Sequence, residues 1–171
     1  MDFKKLIRTI PDFPIEGVLF RDITPVLGDA GGFVAAIDGM AAFLDGLDFD
    51  LIVGPEARGF IFGTPLAYRF RKPFVPARKP GKLPHATIGR RVMLEYGETT
   101  IELHEDAIAG GRKVIIVDDL LATGGTCKAV CELVEAMGAK VVACVFFIEL
   151  DNLKGRNLLS PHSEVFSLVD Y

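Results

Sequence analysis

Apolar residues recur along the chain in two rhythms, one of helical spacing and one of strand alternation. Near the N-terminus Phe3, Leu6, Ile7 and Ile10 follow helical spacing until Pro11, which predicts a short helix followed by a turn-rich stretch over residues 12–28. Phe33, Ile37, Met40 and Leu44 form one helical stripe that Gly46 closes, predicting a helix that covers a sheet. Residues 50–54, Asp-Leu-Ile-Val-Gly, read as a short buried strand, residues 60–70 as a helix and residues 73–77 as a further strand. The chain then turns basic and rich in Gly and Pro over residues 78–87, which predicts an exposed mobile loop. Val92 and Leu94, then Ile101 and Leu103, alternate on either side of Tyr96-Gly97-Glu98, as two strands joined by a turn would. Residues 113–117 are the clearest strand, Val130, Leu133, Val134 and Met137 mark the next helix up to Gly138, and residues 141–148 supply another strand. This repeated strand, loop, helix order predicts an α/β fold with a mostly parallel twisted sheet flanked by helices and right-handed crossovers.

Length and composition narrow the picture. A chain of 171 residues, half of them apolar, suits one core, so residues 1–171 are expected to form a single domain. The formal net charge of -4 gives no general attraction to nucleic acid or an anionic membrane, so an anionic ligand must be held by a local site. Cys127, Cys131 and Cys144 lack C-x-x-C spacing and are expected to be buried reduced thiols of a cytoplasmic protein. No uncharged apolar run approaches the ~20 residues that span a bilayer. The scattered His85, His104 and His162 offer no metal-ligand spacing.

The most informative segment is Val114-Ile-Ile-Val-Asp118-Asp119-Leu-Leu-Ala122-Thr123-Gly124-Gly125-Thr126. Here an apolar strand ends in two carboxylates, and in parallel sheets ligands sit beyond the carboxyl ends of the strands. Asp118 and Asp119 suit ribose hydroxyls, which donate hydrogen bonds. Gly124 and Gly125 permit close backbone approach just before a helix whose first amides lack internal partners. Ala122, Thr123, Gly124, Gly125 and Thr126 therefore make a candidate phosphate cradle. The spacing is neither that of a P-loop nor that of a dinucleotide fingerprint, which disfavours ATP and NAD. Taken alone, the same residues also suit a plain strand end and turn.

The thirteen residues resemble the phosphoribosyl-pyrophosphate motif of type I phosphoribosyltransferases, and other segments resemble the adenine phosphoribosyltransferase family in the same order. These are Pro11-Asp12-Phe13-Pro14 with residues 17–25, Arg58-Gly-Phe-Ile-Phe-Gly63, Arg78-Lys-Pro-Gly-Lys-Leu-Pro84, Leu94-Glu95-Tyr96-Gly97 and Leu153-Lys-Gly-Arg156. The resemblance implies the type I phosphoribosyltransferase fold, with residues 1–30 as a hood over the base pocket and residues 78–98 as a flexible loop and hairpin. It implies that Leu19, Phe20 and Arg21 form the adenine pocket, with Phe20 and Leu150 sandwiching the ring. Adenine presents an amino donor beside a ring acceptor, and a 6-oxo purine reverses that pattern, leaving buried groups unpaired.

The same resemblance places Glu56, Ala57, Arg58, Arg78, Lys79 and Lys82 around pyrophosphate, with Arg78 reaching toward a partner subunit's site. The Glu56-Ala57 peptide matches one that is often cis in the family, and Ala57 stands where many relatives carry Ser. A side-chain hydroxyl contact to pyrophosphate is thus missing here. Glu95 is expected to handle the proton at the adenine imidazole ring, with Tyr96 helping to close the site and Arg58 and Lys82 balancing the charge of the leaving group. The implied reaction joins adenine to phosphoribosyl pyrophosphate, giving AMP and pyrophosphate through an oxocarbenium-like transition state. It uses Mg2+ held mainly by substrate and water. A homodimer is also implied. Two rivals stay open: a phosphoribosyltransferase for hypoxanthine, guanine or xanthine, and a metabolite-sensing regulator that binds nucleic acid.

Overall fold

The computed structural model describes residues 1–94, 97–159 and 163–171. A 3-10 turn at Phe3–Lys5 leads into β1 (Arg8–Pro11), which pairs antiparallel with β2 (Leu19–Asp22). α1 (Thr24–Gly28) and α2 (Ala30–Leu44) follow, then β3 (Leu51–Pro55), α3 (Arg58–Phe70) and β4 (Phe74–Ala77). β5 (Thr87–Leu94) and β6 (Gly97–His104) form a hairpin; β7 (Lys113–Leu121), α4 (Gly125–Ala136), β8 (Lys140–Glu149), α5 (Arg156–Leu159) and β9 (Glu164–Asp170) complete the chain. None of the described helices is long and apolar enough to cross a membrane.

Five strands make one parallel sheet in the order β4-β3-β7-β8-β9. Strand side chains alternate between its faces. Ile115, Val117, Val145 and Phe147 face the N-terminal segment, α2 and α3. Val114, Ile116, Cys144 and Phe146 face α4 and the β5–β6 hairpin. Both faces are covered, which explains the unbroken burial of β3 from Leu51 to Pro55. α2 starts where the Asp29 carboxylate accepts the Gly32 amide at 2.6 Å, a side-chain cap of the helix's unpaired donors.

The order has a topological consequence. From β3 the chain crosses by α3 to β4 on one side, whereas from β7 it crosses by α4 to β8 on the other. The two crossovers diverge, so a crevice opens between the carboxyl ends of β3 and β7, where parallel α/β sheets bind ligands.

Three expectations are corrected. Ile10 lies in β1 rather than in a helix, because its segment pairs with β2, Ile10 opposite Phe20. Helical spacing is a local signal and cannot register a partner ten residues on. The α2 stripe is rotated, with Ala36, Met40, Ala41 and Leu44 buried while Phe33 and Ile37 are only partly covered. β7 runs through Asp118 and Asp119 to Leu121, because β8 pairs beside it as far as Leu121 opposite Glu149. The acids therefore belong to the strand and not to the loop beyond it. The edge strand β9 had no counterpart among the expected elements.

Candidate functional site

A cavity of about 320 Å³ fills the crevice between β3 and β7. On one wall are Glu56, Ala57 and Arg58 after β3; on the other are Asp118, Asp119 and residues 122–126 after β7. The structure thus brings together the expected ribose, 5'-phosphate and part of the pyrophosphate residues. Cys127 and Phe146 also line this cavity, which no motif had marked.

The loop between β7 and α4 is built by backbone geometry. Gly124 has φ +83°, and a Cβ there would stand 2.7 Å from the Gly155 carbonyl oxygen. Both facts demand glycine. Gly124 is also the N-cap residue of α4 and provides no side-chain cap, and Ala57 at the start of α3 provides none either. Each helix therefore presents first-turn amides unserved by a cap, at the positive end of its dipole. Both ends open on the same cavity, which makes it a place for two anionic groups. The Glu56–Ala57 peptide is cis.

Between the helix ends lies the acidic pair. Arg58 Nε stands 3.1 Å from an Asp119 carboxylate oxygen, and the Asp119 amide donates to an Asp118 carboxylate oxygen at 2.9 Å. Asp118 lines the cavity and is partly buried. Burial, reinforced by the neighbouring Asp119, pushes its carboxyl well above the usual range. Burial also raises Asp119, against the pull of Arg58. One guanidinium thus faces two carboxyls. Gly59 makes room for this approach, since a Cβ there would meet Val117 O at 2.9 Å and Asp118 at 3.1 Å.

Arg78, Lys79 and Lys82 do not line the cavity. Arg78 instead donates through Nε to Glu56 at 2.7 Å and through Nη1 to the Lys82 carbonyl at 3.3 Å. Burial would raise the Glu56 carboxyl, but Arg78, the Lys79 amide and Lys82 outweigh it and hold it below the usual range. Glu56 is therefore the tether of the basic loop, a role that sequence did not suggest. Lys79 and Lys82 are exposed. Glu95 and Tyr96 lie outside the described residues.

A second cavity, about 490 Å³ and more apolar, adjoins the first. All four residues expected at the base, Leu19, Phe20, Arg21 and Leu150, line it, and Leu120 and Ala122 border both cavities. Phe20 is steadied by Phe13, their rings edge to face at 5.0 Å, and the Arg58 guanidinium lies 5.8 Å from the Phe20 centroid. Arg21 turns its guanidinium onto the Tyr171 ring at 3.7 Å. Asn152, Leu153 and Tyr171 also line this cavity. Leu153 opens the Leu153-Lys-Gly-Arg156 motif, the one signal that pointed to this stretch.

The three cysteines are buried, and none is disulfide-bonded. Hydrogen bonding with Cys131 and Cys144, then burial, push the Cys127 thiol well above its usual range, which makes it a poor nucleophile. His85 and His104 meet edge to face at 6.1 Å, and neither lines either cavity.

The family profile of the phosphoribosyl transferase domain matches residues 27–169. An adenine phosphoribosyltransferase of Agathobacter rectalis is 55% identical over 168 residues, covering 98% of this chain and 96% of its own. The crystal structure of adenine phosphoribosyltransferase from Thermoanaerobacter pseudethanolicus superposes with a TM-score of 0.96 at 51% identity, covering 99% of this chain and 98% of its own. That of the Saccharomyces cerevisiae enzyme, complexed with D-2,5-dideoxy-2,5-imino-altritol 1,6-bisphosphate and adenine, gives 0.92 at 42% identity over 98% of this chain and 96% of its own.

Proposed function

Since the chain belongs to the adenine phosphoribosyltransferases of the phosphoribosyl transferase domain family, we propose that it joins adenine to phosphoribosyl pyrophosphate, releasing AMP and pyrophosphate. The observation that carries this reading is the pairing of two adjoining cavities. One holds two uncapped helix ends around an acidic pair; the other is apolar and bears an aromatic face. A sugar with anionic groups at both ends fits the first, and a neutral purine fits the second.

In this reading the α4 amides and the Thr123 and Thr126 hydroxyls bind the 5'-phosphate, Asp118 and Asp119 accept hydrogen bonds from the ribose hydroxyls, and the α3 end with Arg58 receives pyrophosphate. The bond from ribose C1 to pyrophosphate oxygen breaks with its electron pair leaving on oxygen, and adenine N9 donates a pair to C1. The N9 proton passes to the Glu95 carboxylate. Charge develops on the leaving group and on the ribose, so positioning and preset electrostatics supply most of the rate enhancement. Phe20 and Leu150 hold the ring between them, while the main chain at Leu19 and Arg21 reads its edge. Lys79 and Lys82 close over pyrophosphate, with Tyr96 on the same side, and Arg78 extends toward a partner subunit's site.

The donor set also suits magnesium at second remove. Burial raises both the Asp118 and the Asp119 carboxyl, and a divalent ion beside them would favour their ionised forms. Mg2+ keeps most of its waters, so Asp118 and Asp119 would hold it through water and the ribose hydroxyls. When bound it neutralises pyrophosphate oxygens. We further propose that the chain acts as a single cytoplasmic domain within a homodimer, without nucleic-acid or membrane partners.

The deciding assay supplies phosphoribosyl pyrophosphate and Mg2+ with adenine or hypoxanthine and follows the nucleotide formed. AMP from adenine, with little product from hypoxanthine, is expected. Preference for the 6-oxo purine, or no turnover by folded protein, overturns the assignment.

A further inference from the structure

Between the two cavities, just after Leu150, runs a segment with no part in the chemistry above: the 3-10 turn Asp151–Leu153, Lys154 and Gly155, leading into α5. Its front faces the second cavity through Asn152 and Leu153. Its back rests on the phosphate loop. A Cβ on Gly155 would stand 2.2 Å from the Ala122 carbonyl oxygen and 3.0 Å from the Gly124 amide nitrogen, while a Cβ on Gly124 would meet Gly155 O at 2.7 Å. Two backbones are thus in direct contact, with no room for a side chain between them. Gly155 is buried and lines neither cavity.

The segment is also closed on itself. Arg156 donates through Nε to Glu149 at 3.0 Å and through Nη2 to the other Glu149 oxygen, and Nη2 reaches Ser167 Oγ at 3.0 Å. Ser167 Oγ in turn donates to Glu149 at 2.7 Å. The Glu149 side chain is only 4% exposed, so this is a fork-to-fork pair at the foot of the segment, stronger and better fixed than a surface ion pair. The Leu150 amide adds a bond to Leu121 O at 2.9 Å. Residues 149–156 form a clasp anchored to β7, β8 and β9.

We propose that Gly155 is a positioning residue for the 5'-phosphate, pressing the phosphate loop into its anion-binding shape from behind, with the Glu149–Arg156–Ser167 clasp holding Gly155 in place. This rests on reading the Gly124 loop as the 5'-phosphate site. Anion binding by main-chain amides requires their N–H vectors to converge, and a shift on the order of 1 Å in such a site can cost ~10²-fold. A methyl group at residue 155 forces a displacement of that size, since 2.2 Å is well inside any real Cβ contact.

The experiment compares AMP with adenosine, which differ by the phosphate alone, as inhibitors of the wild-type protein and of Gly155→Ala and Ser167→Ala, with circular dichroism and thermal melts confirming folding. Gly155→Ala is expected to weaken AMP at least tenfold and adenosine less than threefold, with the KM for phosphoribosyl pyrophosphate rising more than kcat falls. Ser167→Ala loosens the clasp without adding an atom and should reduce the preference for AMP in the same direction by a few-fold. Equal loss for both ligands, which generic destabilisation would produce, overturns the proposal, as does an unchanged preference in folded Gly155→Ala. Should Gly155→Ala fail to fold, an unchanged preference in Ser167→Ala overturns it. If the wild-type protein itself does not prefer AMP, the reading of the phosphate site fails instead.

Discussion

Arg58 Nε lies 3.1 Å from an Asp119 carboxylate oxygen, linking the first turn of α3 to β7 across the crevice where the crossovers diverge. That single cation serves both the acidic pair and the proposed pyrophosphate site. Arg58→Ala is expected to lower kcat/KM for phosphoribosyl pyrophosphate by about 10²–10³, the range typical of losing one preorganised charge-stabilising donor. Steady-state kinetics with adenine saturating measures it. A change below threefold removes Arg58 from the site.

Asp118 links function to stability with opposite signs. Its folded carboxyl titrates well above the usual range because of burial and Asp119, so the stability it contributes is full below the ordinary carboxylate pKa and is lost as pH rises through the raised folded value. Asp118→Asn removes that charge. It should raise the melting temperature near neutral pH by about 2–4 °C, equivalent to about 1 kcal/mol, with a margin over wild type that grows from pH 5 to pH 8. Donor binding should weaken in the same variant. Melting curves across that pH range check the sign.

Phe20 lines the second cavity and is proposed to stack on the base. Base–aromatic stacking is worth about 1–3 kcal/mol by alanine substitution, so Phe20→Ala should raise the KM for adenine by about 10-fold or more. Affinity for phosphoribosyl pyrophosphate should stay within about threefold. A KM for adenine that does not move places the base elsewhere.

Glu95, proposed to take the N9 proton, is tested by Glu95→Gln. Turnover should fall by roughly 10²–10⁴-fold, as lost acid-base assistance does, and the acidic limb of the kcat profile should disappear. Near-normal turnover would take Glu95 out of the mechanism.

The parts legible in the sequence were those whose signal is local. β7, the glycines after it and α4 are contiguous, and the structure places Asp118, Asp119 and residues 122–126 around one cavity as expected. The second cavity was only half legible, because its lining comes from four separate stretches of chain, around Phe20, Leu120, Asn152 and Tyr171. No spacing rule joins such distant segments, and Asn152 and Tyr171 carry no motif of their own. β1 was misread for a related reason, its strand character coming from pairing with β2. Arg78 shows a further limit. Sequence marks a basic loop, but only coordinates show Glu56 tying it down.

Because Gly124 and the uncapped ends of α3 and α4 present peptide groups to the cavity, much of the proposed grip on the donor is indifferent to side-chain identity. Ala57 needs no side-chain polar group to serve there, and a small replacement at residue 122 should be well tolerated. Among the vulnerable positions are those with nothing to lose but space. A saturation screen for growth on adenine would register hot spots at Gly59, Gly124 and Gly155, residues without a functional group, alongside Arg58 and Glu95.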